Sequence, residues 1–514
     1  MIIGVGIIAC VIPVLLKPEH FPSDDAFFYL QVAHNMATGF GSTFNTIVPT
    51  NGYHPLWQWI CAGVAYVSGG DKIVTLYAVC LLHAILFVGI IYYLHRINRE
   101  FLRIRYWYIA IPLLTIFYLC IGLYCSEVSL HGYVLCATTY YLLDAIRKPE
   151  LSNMQLIRLG CLFGLLFLAR LDAMFTILAM GSAIVFSFRH LGFSRVLRYC
   201  IAIAVPFFVV TAPYLLWNYL TFGHLSPISG AIKSSFPHIT ANLGSLHIIG
   251  AAATMAAFVG IIRGSYRKRA GKHFHFHYIL SAGAILLAIY VYLFTDHITK
   301  WAWYYVPGAM MIAILCAELT DYLAARMVRL QKALVITACT VLMLVAALRP
   351  WSEYATAEPL AYDLYKFSGV SSVKWEMDLA MWLKAHLPPH TRIYMFDWPG
   401  FVAYYSDMDI LPVDGLINDY DYNNKLRDIG VVQYLTSKGI RYWLGPTNAY
   451  PQRHIGYTNT VNADGAQTIH FYAPLYDVEA GSFTVTPDKQ IVDFKQALAN
   501  PLMFDIGLWE ISSQ

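Results

Sequence analysis

The chain has 514 residues, of which 58% are hydrophobic and 13% charged, with a net charge of +4. An ordinary soluble domain carries about a quarter charged residues, so this composition excludes one and describes a polytopic membrane protein. The small positive charge comes mainly from short loops between apolar segments, where it sets topology and gives no support to a nucleic-acid partner.

In chain order, segments able to span about 30 Å of hydrocarbon number roughly eleven and fall approximately at 1–17, 73–94, 106–123, 129–144, 157–169, 173–188, 199–218, 246–262, 278–295, 303–323 and 333–348. Met1 to Leu16 lacks a basic leading region and a small-residue cleavage site and is expected to be an uncleaved first helix. The clusters Arg96/Arg99/Arg103/Arg105, Arg147/Lys148/Arg158, Arg189/Arg195/Arg198, Arg263/Arg267/Lys268/Arg269/Lys272 and Arg326/Arg329/Lys332 occupy alternate loops, and that side is expected to be cytoplasmic. The other side then holds the Ser23–Trp57 loop, the Ser226–Ser235 loop and everything after Arg349. This requires Leu56–Gly70, apolar but short, to lie along the membrane or dip into it without crossing. All ten cysteines fall in the membrane part with no CxxC or Cys/His metal spacing and read as small core hydrophobes.

After Arg349 the composition becomes that of a globular domain. A helix at 372–386, strands at 391–396 and 410–413, a helix at 426–437 and a strand at 441–444 predict a small α/β domain, cysteine-free and so without disulfides. The expected division is a transmembrane module at 1–348, with an extracytoplasmic loop at 18–72, and a periplasmic α/β domain at 349–514.

The chemistry concentrates on the extracytoplasmic side. Ser23 is a good N-cap, Asp24 and Asp25 fill the first turn and Gly39 supplies a stop, so Asp24–Thr38 reads as a helix. Its apolar face of Ala26, Tyr29, Leu30, Ala33 and Met36/Ala37 lies opposite Gln31, His34, Asn35 and Thr38, and such a helix should lie in the interfacial plane. Helix dipole and backbone N–H groups would hold the carboxylates ionised. Alone, the pair could merely decorate a helix start; its company argues otherwise. Glu127 sits at an extracytoplasmic helix end, and LARLDAM places Arg170 and Asp172 at the same level. Ionisable groups at membrane depth are costly and hence functional or paired; for Arg170 with Asp172 both readings stand. GHLSPISGAIKSS adds Lys233, and FTDHITKWAWYY adds Asp296, His297, Lys300 and aromatics that include Tyr304. Those aromatics fit an interfacial belt at least as well as a sugar platform. Lys233 and Lys300 run against the positive-inside bias, which points to an anion on their side. An anion beside lipid, a carboxylate base and aromatic surface together describe group transfer from a lipid-linked phosphate donor.

These residues resemble the GT-C class of multi-pass glycosyltransferases, arabinofuranosyltransferase-like members in particular, along most of the chain. The matching elements are Asp24-Asp25, AHNMATGFG, TNGYHPLW, Glu127, ARLDAM and PYLLWNYLTFGHLSPISGAIK, with WLKAHLPPHTRIYMFDWPGFVAYYS and VDGLINDYDY in the tail. The resemblance implies an α-helical membrane module with a C-terminal soluble α/β domain, a polyprenyl-phosphate sugar as donor, and Asp24 or Asp25 as catalytic base. It implies that Glu127 and Arg170 shape the cavity, that Lys233 lies near the donor phosphate, and that Tyr53, His54, Asp172, His297, Lys300 and Tyr304 belong to the substrate-binding set. Two departures stand out: His54 replaces a small polar residue, leaving substrate contact and structural hydrogen bonding both open, and Leu171 replaces a proline.

The motif Asp407-Met408-Asp409 matches a DxD metal signature, but it follows a predicted strand in a turn and is read as an ordinary loop, while Asp414–Asp419 is expected to serve structure or the acceptor. No resident cofactor or metal-ligand set is expected, though divalent metal use varies within the class. The expected protein is thus a glycosyltransferase of the bacterial inner membrane. It would pass a sugar, D-arabinofuranose by preference, to a pilin or other protein, a lipopolysaccharide or a cell-wall glycan. The competing reading is a flippase or transporter of lipid-linked sugar, which predicts inverted repeats and charged helices near mid-membrane. No such repeat is visible.

Overall fold

The computed structural model describes residues 22–120, 125–240, 248–269, 273–295, 302–324, 373–454, 456–494 and 505–511, with isolated positions at 333, 337, 338 and 341. The expected helices at 1–17 and 333–348, the boundary at 348/349, and Asp296, His297 and Lys300 lie outside the described residues.

The helical part runs through α1 (Asp24–Ala37), α2 (Pro55–Val67), α3 (Lys72–Ile97), α4 (Ala110–Cys120), α5 (Val128–Ile146), α6 (Asn153–Ala169), α7 (Met174–Phe188), α8 (Phe193–Phe222), α9 (Ile228–Lys233), α10 (Ile248–Arg269), α11 (His275–Phe294) and α12 (Val306–Ala324). Every expected span from 73–94 to 303–323 falls on one of these helices. Lys72–Leu102, Leu171–Leu191, Phe193–Phe222, His275–Phe294 and Trp303–Leu323 are long and apolar enough to cross a membrane, so the chain is a multi-pass membrane protein. α2 has 13 residues and rises only about 20 Å at 1.5 Å per residue, too short to cross unaided. Close helix packing follows from small residues: a Cβ on Gly160 of α6 would stand 2.3 Å from the Ile203 carbonyl oxygen of α8, and one on Gly164 2.8 Å from the Val210 Cβ.

The basic loops meet at one end of the bundle. Glu318 of α12 accepts from Arg263 Nε at 2.7 Å and Arg267 Nη1 at 2.9 Å, both on α10, while Arg267 Nη2 donates to the Leu102 carbonyl at 3.1 Å. Asp321 caps the amides of Arg105 and Tyr106, each at 2.8 Å. The α/β domain and the Asp24–Trp57 loop occupy the opposite end.

That domain comprises α13 (Val373–His386), β1 (Arg392–Met395), α14 (Pro399–Ser406), β2 (Asp409–Pro412), α15 (Tyr420–Ile429), α16 (Val431–Ser437), β3 (Tyr442–Pro446), β4 (Tyr450–His454), β5 (Tyr457–Val461), β6 (Gln467–Ala473), β7 (Val478–Val485), β8 (Gln490–Asp493) and β9 (Ile506–Glu510). A mixed sheet of order β2-β1-β3-β9-β8, parallel from β2 to β3, stands beside an antiparallel sheet β4-β5-β6-β7. Ile393, Tyr394, Met395, Ile410, Leu411, Trp443 and Leu444 bury the centre of the first sheet, as the apolar runs in the sequence require. The helix expected at 426–437 is split at Gly430, whose φ is +78°, a conformation L side chains rarely adopt.

The expectation for α1 needs correction. Ser23 holds the N-cap position, but its hydroxyl makes no capping bond. The helix is also buried on both faces, Gln31 and Asn35 included. Gln58 Nε2 of α2 donates to the Tyr29 carbonyl at 3.2 Å, and Asn35 Nδ2 donates to the Thr43 and Phe44 carbonyls at 2.8 and 3.1 Å. On the other side Phe27 packs edge-on against Phe401 of α14, with ring centroids 4.7 Å apart. α1 is therefore a wedge between membrane helices and the α/β domain, and on its polar side Asn35 makes buried hydrogen bonds where an interfacial helix would face water.

Candidate functional site

The site is built where α1, the loop before α2, the starts of α5 and α7, and α9 face the α/β domain. Glu127 holds the N-cap position of α5, without a side-chain capping bond, and is buried. α6 stops at Ala169 because Arg170 turns extended (φ −152°, ψ 124°), and Leu171–Ala173 forms one 3₁₀ turn into α7. Arg170, 2% exposed, then donates from Nη1 to Glu127 Oε1 at 2.5 Å and grips Asp172 with two bonds, Nε to Oδ1 at 3.0 Å and Nη2 to Oδ2 at 2.7 Å. Its guanidinium lies over the Tyr304 ring, 5.1 Å from the centroid. The second Glu127 oxygen accepts from the Tyr29 hydroxyl at 2.9 Å, so one buried arginine organises two carboxylates and two tyrosines. A fork held this way is rigid, because each donor has a fixed direction.

His54 joins the same cluster. Its Nδ1 accepts from the Leu171 amide at 3.4 Å, its backbone N–H donates to the Tyr29 hydroxyl at 3.4 Å, and its Nε2 stands 3.8 Å from Glu127 Oε1. With Nδ1 accepting, the neutral ring carries its proton on Nε2, facing Glu127. Burial pushes the imidazole down to about 4, so it is neutral at ordinary pH. The structural hydrogen bond left open in the sequence is present. Tyr53 is not brought into this cluster: it is buried with its hydroxyl 2.6 Å from Ser42 Oγ.

The adjacent aspartates have different surroundings. Asp24 is buried, and its Oδ1 accepts from the Phe401 amide at 2.8 Å, at the N-terminus of α14. Trp398 reaches φ +46° to aim that helix, and Gly400 is obligatory: a Cβ there would stand 2.3 Å from the Asp24 carbonyl oxygen. Burial drives the Asp24 carboxyl well up, opposed by those amides. Asp25 is exposed, yet the protein mass around it desolvates the carboxyl enough to raise it, with Lys233 as the main opposing influence. Burial works against the Lys233 ammonium, but Tyr304, which it hydrogen-bonds, and Asp25 outweigh that and leave it raised and charged.

The α/β domain adds acid to this place that the sequence reading left at a structural or acceptor-side role. Asp414 is buried, accepts from the Leu416 amide at 3.0 Å, and is pushed up to about 7 by burial and then by Asp397. Asp397 was not singled out in the sequence, though it acts on Asp24, Asp25 and Asp414 alike. Its only local signal is the turn-forming FDWPG. Asp407 and Asp409 are engaged elsewhere. Asp407 pairs with Lys72 at 3.0 Å and Lys384 at 2.7 Å, and Asp409 accepts from Thr46 at 2.8 Å. The expected loop needs correction: DMD follows α14 where a strand was expected, and Asp409 opens β2.

No family model matches this chain, and no curated protein matches it. Among solved structures its fold is similar to that of ArnT. The crystal structure of ArnT from Cupriavidus metallidurans bound to undecaprenyl phosphate superimposes with a TM-score of 0.52 at 12% identity, covering 87% of this chain and 92% of ArnT. ArnT in the apo state gives 0.45 at 13% identity over 83% and 88%. The expected fold, a GT-C-like membrane module followed by an α/β domain, is the one observed.

Proposed function

We propose that this protein is an integral-membrane glycosyltransferase that takes a sugar from a polyprenyl-phosphate donor and passes it to an extracytoplasmic acceptor, with Asp25 as the base. The observation that carries this reading is the placing of the exposed Asp25 carboxyl, raised by desolvation, within electrostatic reach of the half-buried Lys233 ammonium on α9. The acceptor hydroxyl gives its proton to Asp25 as its oxygen bonds to the anomeric carbon. The bond from that carbon to the phosphate oxygen breaks, and the departing polyprenyl phosphate keeps the electron pair. Lys233 meets the charge that develops on the phosphate. A raised carboxyl is a better proton acceptor near neutral pH than an ordinary aspartate. Glu127, Arg170, Asp172, His54 and Tyr304 fix the cavity wall. Asp24, already hydrogen-bonded to α14, holds the α/β domain in place.

The lipid phosphate bound in the similarly folded ArnT supports a polyprenyl-phosphate donor. The motif resemblance puts D-arabinofuranose first among sugars, and a protein such as a pilin, a lipopolysaccharide or a cell-wall glycan as acceptor. The membrane is then the bacterial inner membrane, with the α/β domain in the periplasm.

The test is native mass spectrometry of the full chain in mild detergent, with synthetic polyprenyl-phosphate sugars added singly. One donor should bind and be consumed by wild type, while Asp25→Asn binds the same donor and turns it over at least about a hundred-fold more slowly, the usual scale for a general base. Binding without consumption of any donor, or full turnover by Asp25→Asn, overturns the assignment.

A further inference from the structure

The basic end of the bundle holds a cavity of about 320 Å³ between α7, α10 and α11, far from the aspartates. Ligand sites start at about 300 Å³. Its walls are aromatic, with Phe186, Phe274 and Tyr278 among them, and among the described residues its charged side chain is Lys268 and no carboxylate lines it. Lys268 Nζ lies 4.7 Å from the Phe186 centroid and 5.1 Å from that of Phe274. The Arg189 guanidinium sits over the same Phe186 ring at 4.6 Å. Some other cations at this end are neutralised, Arg96 by Glu100, Arg195 by Glu150, and Arg263 with Arg267 by Glu318, while Arg147 and Arg158 lie over aromatic rings as Lys268 does. A lysine held by ring faces keeps its charge available to an outside anion. His275 lines the cavity too, and its buried Nδ1 has no hydrogen-bond partner among the described residues.

An apolar path leads away from this cavity. Tyr278, Leu286 and Ile289 recur at helical spacing on one face of α11, and Leu286 and Ile289 are 38% and 48% exposed. Headgroup chemistry at a helix end, with an exposed apolar stripe running on toward mid-membrane, is the pattern a lipid fits. Basic pockets between membrane helices bind anionic headgroups for this reason.

We propose that this cavity seats the phosphate of an anionic phospholipid, with an acyl chain laid along the Tyr278–Ile289 face of α11. The site is independent of glycosyl transfer and stands or falls separately from it. In native mass spectrometry of the full chain, dioleoyl-phosphatidylglycerol should be retained at collision energies that strip dioleoyl-phosphatidylcholine. Lys268→Gln should weaken that retention about five-fold, and adding Arg189→Gln about five-fold again, since a cation near a lipid surface contributes about 1 kcal/mol. Arg195→Gln, beside Glu150, serves as the control and should change nothing. Equal retention of the zwitterionic lipid, or undiminished retention by the double variant, overturns the proposal. So does displacement of phosphatidylglycerol by millimolar inorganic phosphate, which would reassign the cavity to a free anion. On wild type, a diazirine phosphatidylglycerol should crosslink within 183–189 and 261–278. Labelling confined to other segments overturns the proposal whether or not the variants fold.

Discussion

Replacing Asp24 should uncouple the α/β domain locally without touching the proposed base. Its Oδ1 accepts from the Phe401 amide at 2.8 Å in a buried place, and leaving a buried donor without its acceptor costs about 1–3 kcal/mol. Asp24→Ala removes that acceptor and strands the N–H at the start of α14, so the contact should weaken by about 1–3 kcal/mol, roughly five- to a hundred-fold in the local opening equilibrium. Asp24→Asn keeps an oxygen acceptor and sheds a charge that burial disfavours, so its loss should stay within about ten-fold. Hydrogen exchange followed by mass spectrometry over 399–406 measures both, with the β1 peptide as internal reference. Faster exchange in Asp24→Ala confined to α14, together with turnover by Asp24→Asn well above that of Asp25→Asn, is the expected result. Unchanged protection of Phe401 in Asp24→Ala would refute the latch. Equal turnover losses in Asp24→Asn and Asp25→Asn would refute the division of roles.

Three further outcomes follow from the same geometry. Gly400→Ala should lower stability by about 1–3 kcal/mol as an overpacking change, seen as a lower melting temperature, because its Cβ would stand 2.3 Å from a backbone oxygen. Glu127→Ala, which leaves Arg170 buried with Asp172 as its remaining carboxylate, should cost about 3–5 kcal/mol in thermal or denaturant unfolding; equal stability of Glu127→Ala and Glu127→Gln would contradict a buried network. Asp414 binds its proton more tightly folded than unfolded, being pushed up to about 7 from 3.8. It therefore removes stability as pH rises from about 4 toward 7, by at most about 4 kcal/mol at 1.36 kcal/mol per unit. Asp414→Asn should then melt above wild type at pH 8, with the gap narrowing at pH 5 and closing only below about pH 4, and the opposite order would count against this environment.

The spans were legible because hydrocarbon demands a run of apolar side chains, and each described segment from 73–94 to 303–323 lies on a helix. The Arg170 turn was legible too, since an arginine and an aspartate two residues apart inside an apolar run need each other. What the sequence withheld was contact between distant segments. Nothing local in Gln31 or Asn35 announces burial, and α1 was misread as interfacial because its periodicity carries no record of the α/β domain that covers its other face. α14 and the second sheet, β4 to β7, were missed for a related reason. Eight residues beginning Pro-Gly look like a turn until Phe401 packs on Phe27.

That covering domain favours the proposed glycosyl transfer over transport. A transporter places its charges near mid-membrane, between repeats that move. Here Asp24, Glu127, Arg170, Asp172 and Lys233 are drawn to the end of the bundle where the α/β domain sits, and part of their environment comes from Asp397, Asp414 and the Phe401 amide. Lys72 reinforces the join by donating to the Tyr404 carbonyl at 2.7 Å and to Asp407 at 3.0 Å. A site walled partly by a domain that is hydrogen-bonded in place suits chemistry at a fixed lipid phosphate better than alternating access. The same join explains why the carboxylate left exposed is Asp25: its neighbour is consumed in holding the wall, and the proposed function divides the pair into one group that positions and one that reacts.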